Sequence, residues 1–358
     1  MKRKIICLLV ISLQILVGIT QIGFINGDTE ILTLASIGEL YIGGWSYHIE
    51  VAENIAYLAD YSGSFNLINV SDPSTPTLIS QIELNKPHKF EITGNYAVVS
   101  CWEDGLQIVD ISNSSSPFII GNYTTGDLYG YVRIRDNIAY TSGVGGPGLE
   151  FIDISTPSTP IKIGGYNFEG FSNNIFISDN VAYFSAYTTQ NALGVKIIDI
   201  SNLNNPQFLG EFTEYDDIYD IFVEDQTMFL ACWDDGVIVV DVTDPDNPLK
   251  KGDYYDGGYA DKLVVKDEWC YLADNTGGFE ILDVTDFSNI VEIGSYSGYT
   301  ITSVFVKDKY YFLTDQSFGL RILLNLSTSN PLSMAMNPLI PLYSLTFYLF
   351  TIFLKKKK

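Results

Sequence analysis

The chain alternates between short apolar runs, rich in β-branched residues, and turns rich in Gly, Asp, Asn and Pro. The segment Gly236 to Pro248, GVIVVDVTDPDNP, shows the pattern: a glycine, a run of Val and Ile, an aspartate and then a turn. β-branched residues favour strands, whereas the aspartates and prolines that follow stop a strand or helix from continuing. The segment therefore predicts a strand followed by a turn.

Near-copies of this segment recur along the chain. The other copies are SFNLINVSDPSTP (64–76), GLQIVDISNSSSP (105–117), GLEFIDISTPSTP (148–160), GVKIIDISNLNNP (194–206), GFEILDVTDFSNI (278–290) and GLRILLNLSTSNP (319–331). Their aligned turn residues, from Asn69 to Leu324, are 41 to 46 residues apart. A fixed period in the forties, with only strand signals between copies, predicts an all-β, seven-bladed β-propeller with four strands per blade.

The two ends of this repeat array are predicted to meet. No outer strand follows Pro331, whereas Ile31 to Gly38, ILTLASIG, resembles the outer strands of the other copies and precedes the first complete repeat. We expect this N-terminal strand to complete the seventh blade, which closes the ring and removes exposed sheet edges. The repeated turn acid, such as Asp241, is predicted to cap backbone amides, and the seventh copy lacks it at Leu324.

The repeated motif, GLQIVDIS in the second copy with an xAY strand before it, resembles the LVIVD-repeat family over about residues 31 to 331. The resemblance implies an exported or surface propeller of bacteria or archaea. It implies no catalytic motif, so no site residues are carried over from the family.

Charge narrows the possible partners. The chain has 43 acidic and 20 basic residues and a net charge of −23, which argues against nucleic acid as a partner. Acidic loops expected on one face could bind cations weakly, but no 12-residue calcium loop is present, and Asp-Gly is also a common hairpin turn. No cofactor or metal site is predicted. The acids of these loops are Asp60, Glu103, Asp104, Asp234, Asp235, Asp274 and Asp315.

Both termini carry membrane-related signals. Residues 1–27 have a basic start and an apolar run, which predicts a signal peptide, with an uncleaved signal anchor as the alternative. Residues 332–358 contain the apolar segment Pro338 to Leu354 followed by four lysines. They predict a C-terminal transmembrane helix with a cytoplasmic tail, or alternatively a cleaved sorting signal. The propeller, residues 28–331, is then expected at the cell surface, outside the membrane.

The candidate site lies where the repeats differ while their cores stay alike, at the start of each innermost strand. Such positions form the mouth of a propeller channel and are expected to hold a ligand or, alternatively, ordered water. A pair of histidines beside Asp220 or Asp261 could also bind a metal or perform acid–base chemistry. The candidate residues are His48, His88, Lys89, Tyr131, Asn174, Tyr219, Asp220 and Lys262.

We therefore predict a non-catalytic binding or scaffold module for proteins or surface glycans. The alternative is an extracellular hydrolase or lyase with its site at the channel mouth, and a structural role in an envelope layer is a third hypothesis. Cys101, Cys232 and Cys270 are predicted to be small buried residues, because no CxxC motif or histidine lies at ligand spacing.

Overall fold

The protein is an all-β propeller. The computed structural model describes residues 32–124, 128–144, 148–168, 170, 172, 174–187 and 192–327. Within these ranges the chain forms seven four-stranded antiparallel sheets and contains no helix. The predicted seven-bladed fold is therefore confirmed.

Each blade consists of four strands, ordered from the innermost outward, except for β1 (Leu34–Tyr41), which opens the chain and belongs to blade 7. Blade 1 contains β2 (Ser46–Ala52), β3 (Ile55–Asp60), β4 (Ser64–Asn69) and β5 (Thr77–Glu83). Blade 2 contains β6 (Pro87–Thr93), β7 (Tyr96–Cys101), β8 (Gly105–Asp110) and β9 (Phe118–Tyr123). Blade 3 contains β10 (Leu128–Arg135), β11 (Ile138–Val144), β12 (Leu149–Asp153) and β13 (Ile161–Tyr166). Blade 4 contains β14 (Ile175–Ser178), β15 (Val181–Tyr187), β16 (Ala192–Asp199) and β17 (Gln207–Phe212). Blade 5 contains β18 (Asp220–Glu224), β19 (Thr227–Ala231), β20 (Val237–Asp241) and β21 (Leu249–Tyr254). Blade 6 contains β22 (Lys262–Lys266), β23 (Trp269–Ala273), β24 (Phe279–Asp283) and β25 (Val291–Tyr296). Blade 7 contains β26 (Ile301–Lys307), β27 (Tyr310–Asp315), β28 (Gly319–Asn325) and then β1.

The N-terminal strand closes the ring as predicted. β1 pairs antiparallel with β28, with Leu34 opposite Asn325 and Tyr41 opposite Gly319. The strand continues to Tyr41 rather than ending at Gly38, because it pairs along the whole length of β28. The two ends of the propeller therefore hold each other in one sheet.

The hydrophobic core is divided among the contacts between neighbouring blades. Seven buried clusters are found in the described residues, and each joins two adjacent blades. At the contact between blades 6 and 7, the ring of Tyr311 lies 5.5 Å from that of Tyr271 and 5.3 Å from that of Phe279. Aromatic residues of the second strands thus pack blade against blade, and each blade depends on both of its neighbours.

The repeated turn acid is a backbone cap. Asp241 Oδ1 accepts a hydrogen bond from the Thr243 amide at 2.9 Å. In each of the other six blades, an Asp or Asn at the start of the turn accepts the equivalent bond from the amide two residues later. In blade 7 the strand position equivalent to Asp241 is occupied by Leu324. The cap is Asn325, one residue later, which accepts a hydrogen bond from the Ser327 amide. The predicted capping role is confirmed, so these acids are part of the scaffold. The seven caps are Asn69, Asp110, Asp153, Asp199, Asp241, Asp283 and Asn325.

A glycine in most outer strands touches the turn of the next blade. A Cβ atom on Gly210 of blade 4 would lie 1.9 Å from the carbonyl oxygen of Pro245 in blade 5. The same contact joins Gly38 to Pro73, Gly121 to Pro157, Gly164 to Leu203 and Gly252 to Phe287, at 1.7 to 2.0 Å. In blade 1 a serine takes this position, and Ser80 Oγ donates a hydrogen bond to the carbonyl of Ser114 at 2.6 Å.

The cysteines are scaffold residues as well. Cys101, Cys232 and Cys270 are buried and free, as predicted. Burial raises the pKa of each thiol, which keeps it protonated and unreactive.

The predicted signal peptide (1–27) and C-terminal anchor (332–358) lie outside the described residues. Within the described ranges, no helix has the length and apolar character needed to cross a bilayer.

We predict that Gly210→Ala destabilises the propeller by about 2 kcal/mol, because the added methyl group must displace the Pro245 turn of the next blade. Chemical denaturation would measure the loss. Gly130→Ala is the matched control, since a Cβ atom there meets no atom within 4 Å. Equal stability of the two variants would show that the contact between Gly210 and Pro245 does not constrain the fold.

Candidate functional site: the central channel

Several inner strands begin with a β-bulge. The pairing of β2 with β3 shifts between Ser46 and His48, so Tyr47 is the extra residue. Similar shifts fall at Gly130 in β10 and at Thr302 in β26. A bulge re-aims side chains at the end of a strand, and bulges are common beside functional sites. Of the polar positions selected from the sequence, those on blades 1 to 3 therefore lie at interruptions of the ladder: His48, His88, Lys89 and Tyr131. Asp220 and Lys262 instead pair regularly, with Ala231 and Ala273.

A buried ion pair joins blades 4, 5 and 6 at the channel. Asp220, at the start of β18, is fully buried, and its Oδ2 lies 2.8 Å from Lys262 Nζ. The same oxygen accepts a hydrogen bond from the Leu263 amide at 3.0 Å, and the Asn174 side-chain amide donates to Oδ1. A buried carboxylate needs such partners, and here they connect the inner strands of three neighbouring blades.

A second group of side chains crosses the channel. The ammonium of Lys89 lies 5.1 Å from the centre of the Tyr131 ring. The Tyr131 hydroxyl donates to the backbone carbonyl of Tyr219 at 3.1 Å, and Asn174 Nδ2 donates to the same carbonyl at 3.0 Å. Burial lowers the pKa of Lys89 to about 8 and raises that of Asp261 to about 6. Groups from blades 2, 3, 4 and 5 thus meet at one level of the channel.

Both histidines are neutral at physiological pH. Burial and the charge of Lys89 hold the pKa of His88 at about 4 and that of His48 well below its usual value. His88 Nδ1 donates to the Gly130 carbonyl at 2.9 Å, and His48 Nδ1 lies 3.3 Å from Ser303 Oγ. Among the residues that the structure describes, neither histidine belongs to a converging set of three metal-ligand side chains. The two histidines and a carboxylate are therefore not brought to one point.

Aromatic rings surround the channel opening on blades 1 to 3. The Tyr61 ring lies 6.4 Å from Trp45, 5.6 Å from Tyr47, 6.2 Å from His88 and 6.4 Å from Trp102. His88 in turn contacts Tyr131 at 5.8 Å. Trp45 is 54% exposed, so the cluster opens to solvent. We call these six residues the aromatic mouth: Trp45, Tyr47, Tyr61, His88, Trp102 and Tyr131.

A separate aromatic stack lies on blades 5 and 6. The ring of Trp233 is stacked between Tyr219 at 4.6 Å and Tyr259 at 4.8 Å. Trp102 and Trp233 occupy matching loops, and both pack against aromatic residues of a neighbouring loop. Blade-to-blade packing thus accounts for a large part of each indole surface.

Three charged residues of the channel lie deeper than the predicted site. Glu50 and Glu91 accept hydrogen bonds from the amides of the next blade, at Ile92 and Ile134, and Arg133 Nε donates to Ile175 O at 3.3 Å. They line a cavity of about 340 Å³, together with His48 and Lys262. The sequence contains a signal for them, because the equivalent positions of the other blades are apolar. Those positions are Phe176, Phe222, Val264 and Phe305.

Comparison with known proteins identifies the repeat. A model of the LVIVD repeat matches residues 43–83, 89–125, 132–168, 169–214, 217–256 and 257–298, which together make up more than half of the chain. The chain belongs to the LVIVD-repeat family. The resemblance seen in the sequence is thereby confirmed, and the six matches fall on blades 1 to 6, before the composite seventh blade of this LVIVD-repeat protein.

No curated protein shows detectable sequence similarity to the chain. Among solved structures, the crystal structure of the computationally designed Ika8 protein is similar, with a TM-score of 0.59 and 12% sequence identity. The likeness covers 84% of this chain and 94% of the designed one. At that identity it establishes the fold alone.

We predict that Glu50→Gln makes the LVIVD-repeat protein less sensitive to alkaline pH. Burial, with repulsion from Glu91, raises the pKa of Glu50 from 4.5 to about 8. Between these values the folded protein binds more protons than the unfolded chain, so stability falls as pH rises, by at most about 1.4 kcal/mol per pH unit from this group. The amide variant lacks this loss.

Thermal unfolding between pH 5 and pH 9 would check the effect. The melting-temperature difference between Glu50→Gln and the wild type should grow up to about pH 8 and then level off. The control, Glu83→Gln, changes an exposed glutamate and should leave the pH profile unchanged. A constant difference for Glu50→Gln across this range would contradict the assigned pKa.

Proposed function

We propose that this LVIVD-repeat protein is a non-catalytic binding module of the cell surface, and that the aromatic mouth contacts its partner. The cluster of rings at the channel opening, where Trp45 is exposed and its neighbours are half-buried, carries this proposal. Aromatic side chains offer flat apolar faces with polar edges, and concave sites lined by them with a few polar groups are typical of binding pockets.

Among the possible partners, proteins and surface glycans, the geometry favours a glycan. A sugar ring presents a face of C–H groups that stacks on Trp or Tyr, while its hydroxyl groups can bond to the tyrosine hydroxyls and to His88. Residues 28–331 hold 43 acidic and 13 basic residues, a net charge of −30, so a neutral glycan is favoured over a sulfated or carboxylated one.

The chemistry of the channel supports binding over catalysis. Asp220 is held by Lys262, Asn174 and the Leu263 amide, which leaves its carboxylate fully engaged. His88 uses Nδ1 for the Gly130 carbonyl. The polar groups that the sequence selected thus stabilise one another beneath the rings.

One observation favours the alternative, an extracellular hydrolase or lyase. Lys89 has a pKa lowered to about 8 and Asp261 a pKa raised to about 6, both mainly by burial in the same channel. Perturbed pKa values of this kind cluster at functional sites. In a lyase, Lys89 would serve as the proton acceptor beside Tyr131.

We predict that Trp45→Ala weakens glycan binding at least about tenfold, because Trp45 is the most exposed ring of the aromatic mouth and a tryptophan that loses its solvent on binding contributes strongly to affinity. A glycan array probed with the full-length protein in detergent would identify ligands, and calorimetry would measure the change. Phe118→Ala is the matched control, since Phe118 is equally exposed, at 53%, but lies on the outer strand β9.

Equal effects of the two substitutions would show that the aromatic mouth is not the binding site. If the protein bound protein partners but no glycan, the proposed ligand would be a protein instead of a glycan. If the array glycans were instead cleaved, and Lys89→Met abolished the cleavage, the lyase would replace the binding module.

The cell-surface location rests on the signal-like residues 1–27 and the apolar, lysine-flanked residues 332–358. We predict that protease added to intact cells degrades the propeller and spares a short C-terminal fragment, as detected by antibodies to each end. A cytosolic protein, followed in parallel, must stay intact. Protection of the propeller until the cells are lysed would contradict an external location.

A further inference from the structure

Three acidic side chains of blade 6 converge away from the aromatic mouth. Asp256 lies in the loop between β21 and β22, Asp274 directly follows β23, and Glu280 lies on β24. Each offers one carboxylate oxygen, and these three oxygens lie within 4.8 Å of one another. In the part of the chain that the structure describes, no other group of three or more His, Cys, Asp or Glu side chains meets this criterion.

Two of these carboxylates are buried without a partner for one oxygen. Asp274 is 2% exposed and Glu280 is 3% exposed. Asp274 Oδ2 and Glu280 Oε2 are shielded from solvent and lack a hydrogen-bond donor within the protein. Leaving a buried carboxylate oxygen uncompensated costs free energy, so a further group is expected to compensate this charge.

Blade 7 shows how the same position is compensated elsewhere. Asp315 is equivalent to Asp274, and Arg321 is equivalent to Glu280, by the register of their strands. Arg321 Nε donates to Asp315 Oδ2 at 2.7 Å. Blade 6 therefore has a second acid where blade 7 has the cation that neutralises the first.

Blade 3 provides a second comparison. Glu150 is the residue equivalent to Glu280, and its carboxylate bonds to Lys162 Nζ at 2.6 Å. The residue equivalent to Lys162 in blade 6 is Glu292. Blade 6 thus has Glu280 where blade 7 has Arg321, and Glu292 where blade 3 has Lys162.

The backbone is shaped around these acids. A Cβ atom on Gly258 would lie 1.3 Å from Asp274 Oδ2, and one on Gly277 would lie 1.9 Å from it. The Gly258 amide also donates to Asp256 Oδ1 at 3.2 Å. Two glycines therefore let the loops of blade 6 close on the Asp274 carboxylate, and a Cβ atom at either position would force the carboxylate or the loop to move.

We propose that Asp256, Asp274 and Glu280 bind a calcium ion. Calcium takes six to eight oxygen ligands at about 2.3–2.6 Å, so ligand oxygens on one ion are at most about 5 Å apart, as these are. Asp256 is exposed, which leaves room for water to complete the coordination. Calcium suits this set better than magnesium, which requires strict octahedral geometry and retains most of its water.

Electrostatics agrees with this assignment. Burial, with repulsion from Asp256, raises the pKa of Asp274 to about 7. Burial, a side-chain hydrogen bond with Asp256 and repulsion from the same residue raise the pKa of Glu280 to about 9. The fold itself thus fails to stabilise the ionised pair, which a divalent cation would do. The rival explanation is that the carboxyl groups keep a proton.

Calorimetric titration of the calcium-depleted, full-length protein with calcium would test the site. We expect one saturable binding event and a melting temperature that rises with calcium concentration. Glu280→Gln should weaken binding at least about tenfold, because it removes a charged ligand. Glu150→Gln, the equivalent substitution in blade 3, should leave calcium affinity unchanged.

A second variant, Glu280→Arg, distinguishes the loss of a calcium ligand from a general loss of folding. This variant copies blade 7, so the introduced guanidinium would pair with Asp274. It should no longer bind calcium, and its melting temperature without calcium should equal or exceed that of the calcium-free wild type.

The proposal would be overturned if the wild type showed no saturable calcium binding, or if Glu280→Gln kept the full calcium affinity. It would also be overturned if Glu280→Gln raised the stability by the same amount with and without calcium. The last result would show that the carboxyl groups share a proton. None of these measurements depends on glycan binding, so the calcium site and the aromatic mouth are tested independently of each other.

Discussion

The contact on which this propeller depends is the approach of an outer-strand glycine to the turn carbonyl of the next blade. At Gly210 and its equivalents the two backbones come so close that a Cβ atom has no room. The carbonyl can occupy this place only if the turn has a fixed shape, and the capping acid fixes it by binding the amide two residues on. Two recurring features of the repeat, the Asp or Asn that caps the turn and the outer-strand glycine, are thus the two sides of one interface in five of the seven blade contacts.

This constraint leaves the inner ends of the blades free to differ. The outer contact and the shared apolar clusters fix the spacing of neighbouring blades, so the start of an inner strand can be bulged without loss of the ring. Tyr47, His88 and Thr302 lie at such positions. The same scaffold therefore supports an aromatic opening on blades 1 to 3 and a buried ion pair on blades 5 and 6.

Most of the fold could be predicted from the sequence, because the signals for it are local. A strand followed by a capped turn is visible in thirteen residues, and its repetition gives the number of blades and the closing strand. The contacts of the site are of another kind. Tyr131 bonds to Tyr219, which is two blades away, and Asp274 faces Glu280 because of the register of β23 and β24. The sequence shows that these positions are polar, but not which of them meet, since that depends on bulges and on the curvature of the ring.

The repeats also make each blade a reference for the others. A buried charge in a single-copy fold can be judged only against general expectation, whereas here each buried acid can be compared with the equivalent position of another blade. Arg321 and Lys162 show that blades 7 and 3 place a cation beside a buried acid. Among the residues that the structure describes, no Lys, Arg or His side chain forms an ion pair with Asp274 or Glu280. The excess of acid in blade 6 must therefore be neutralised within blade 6, by a proton or by an ion from solution.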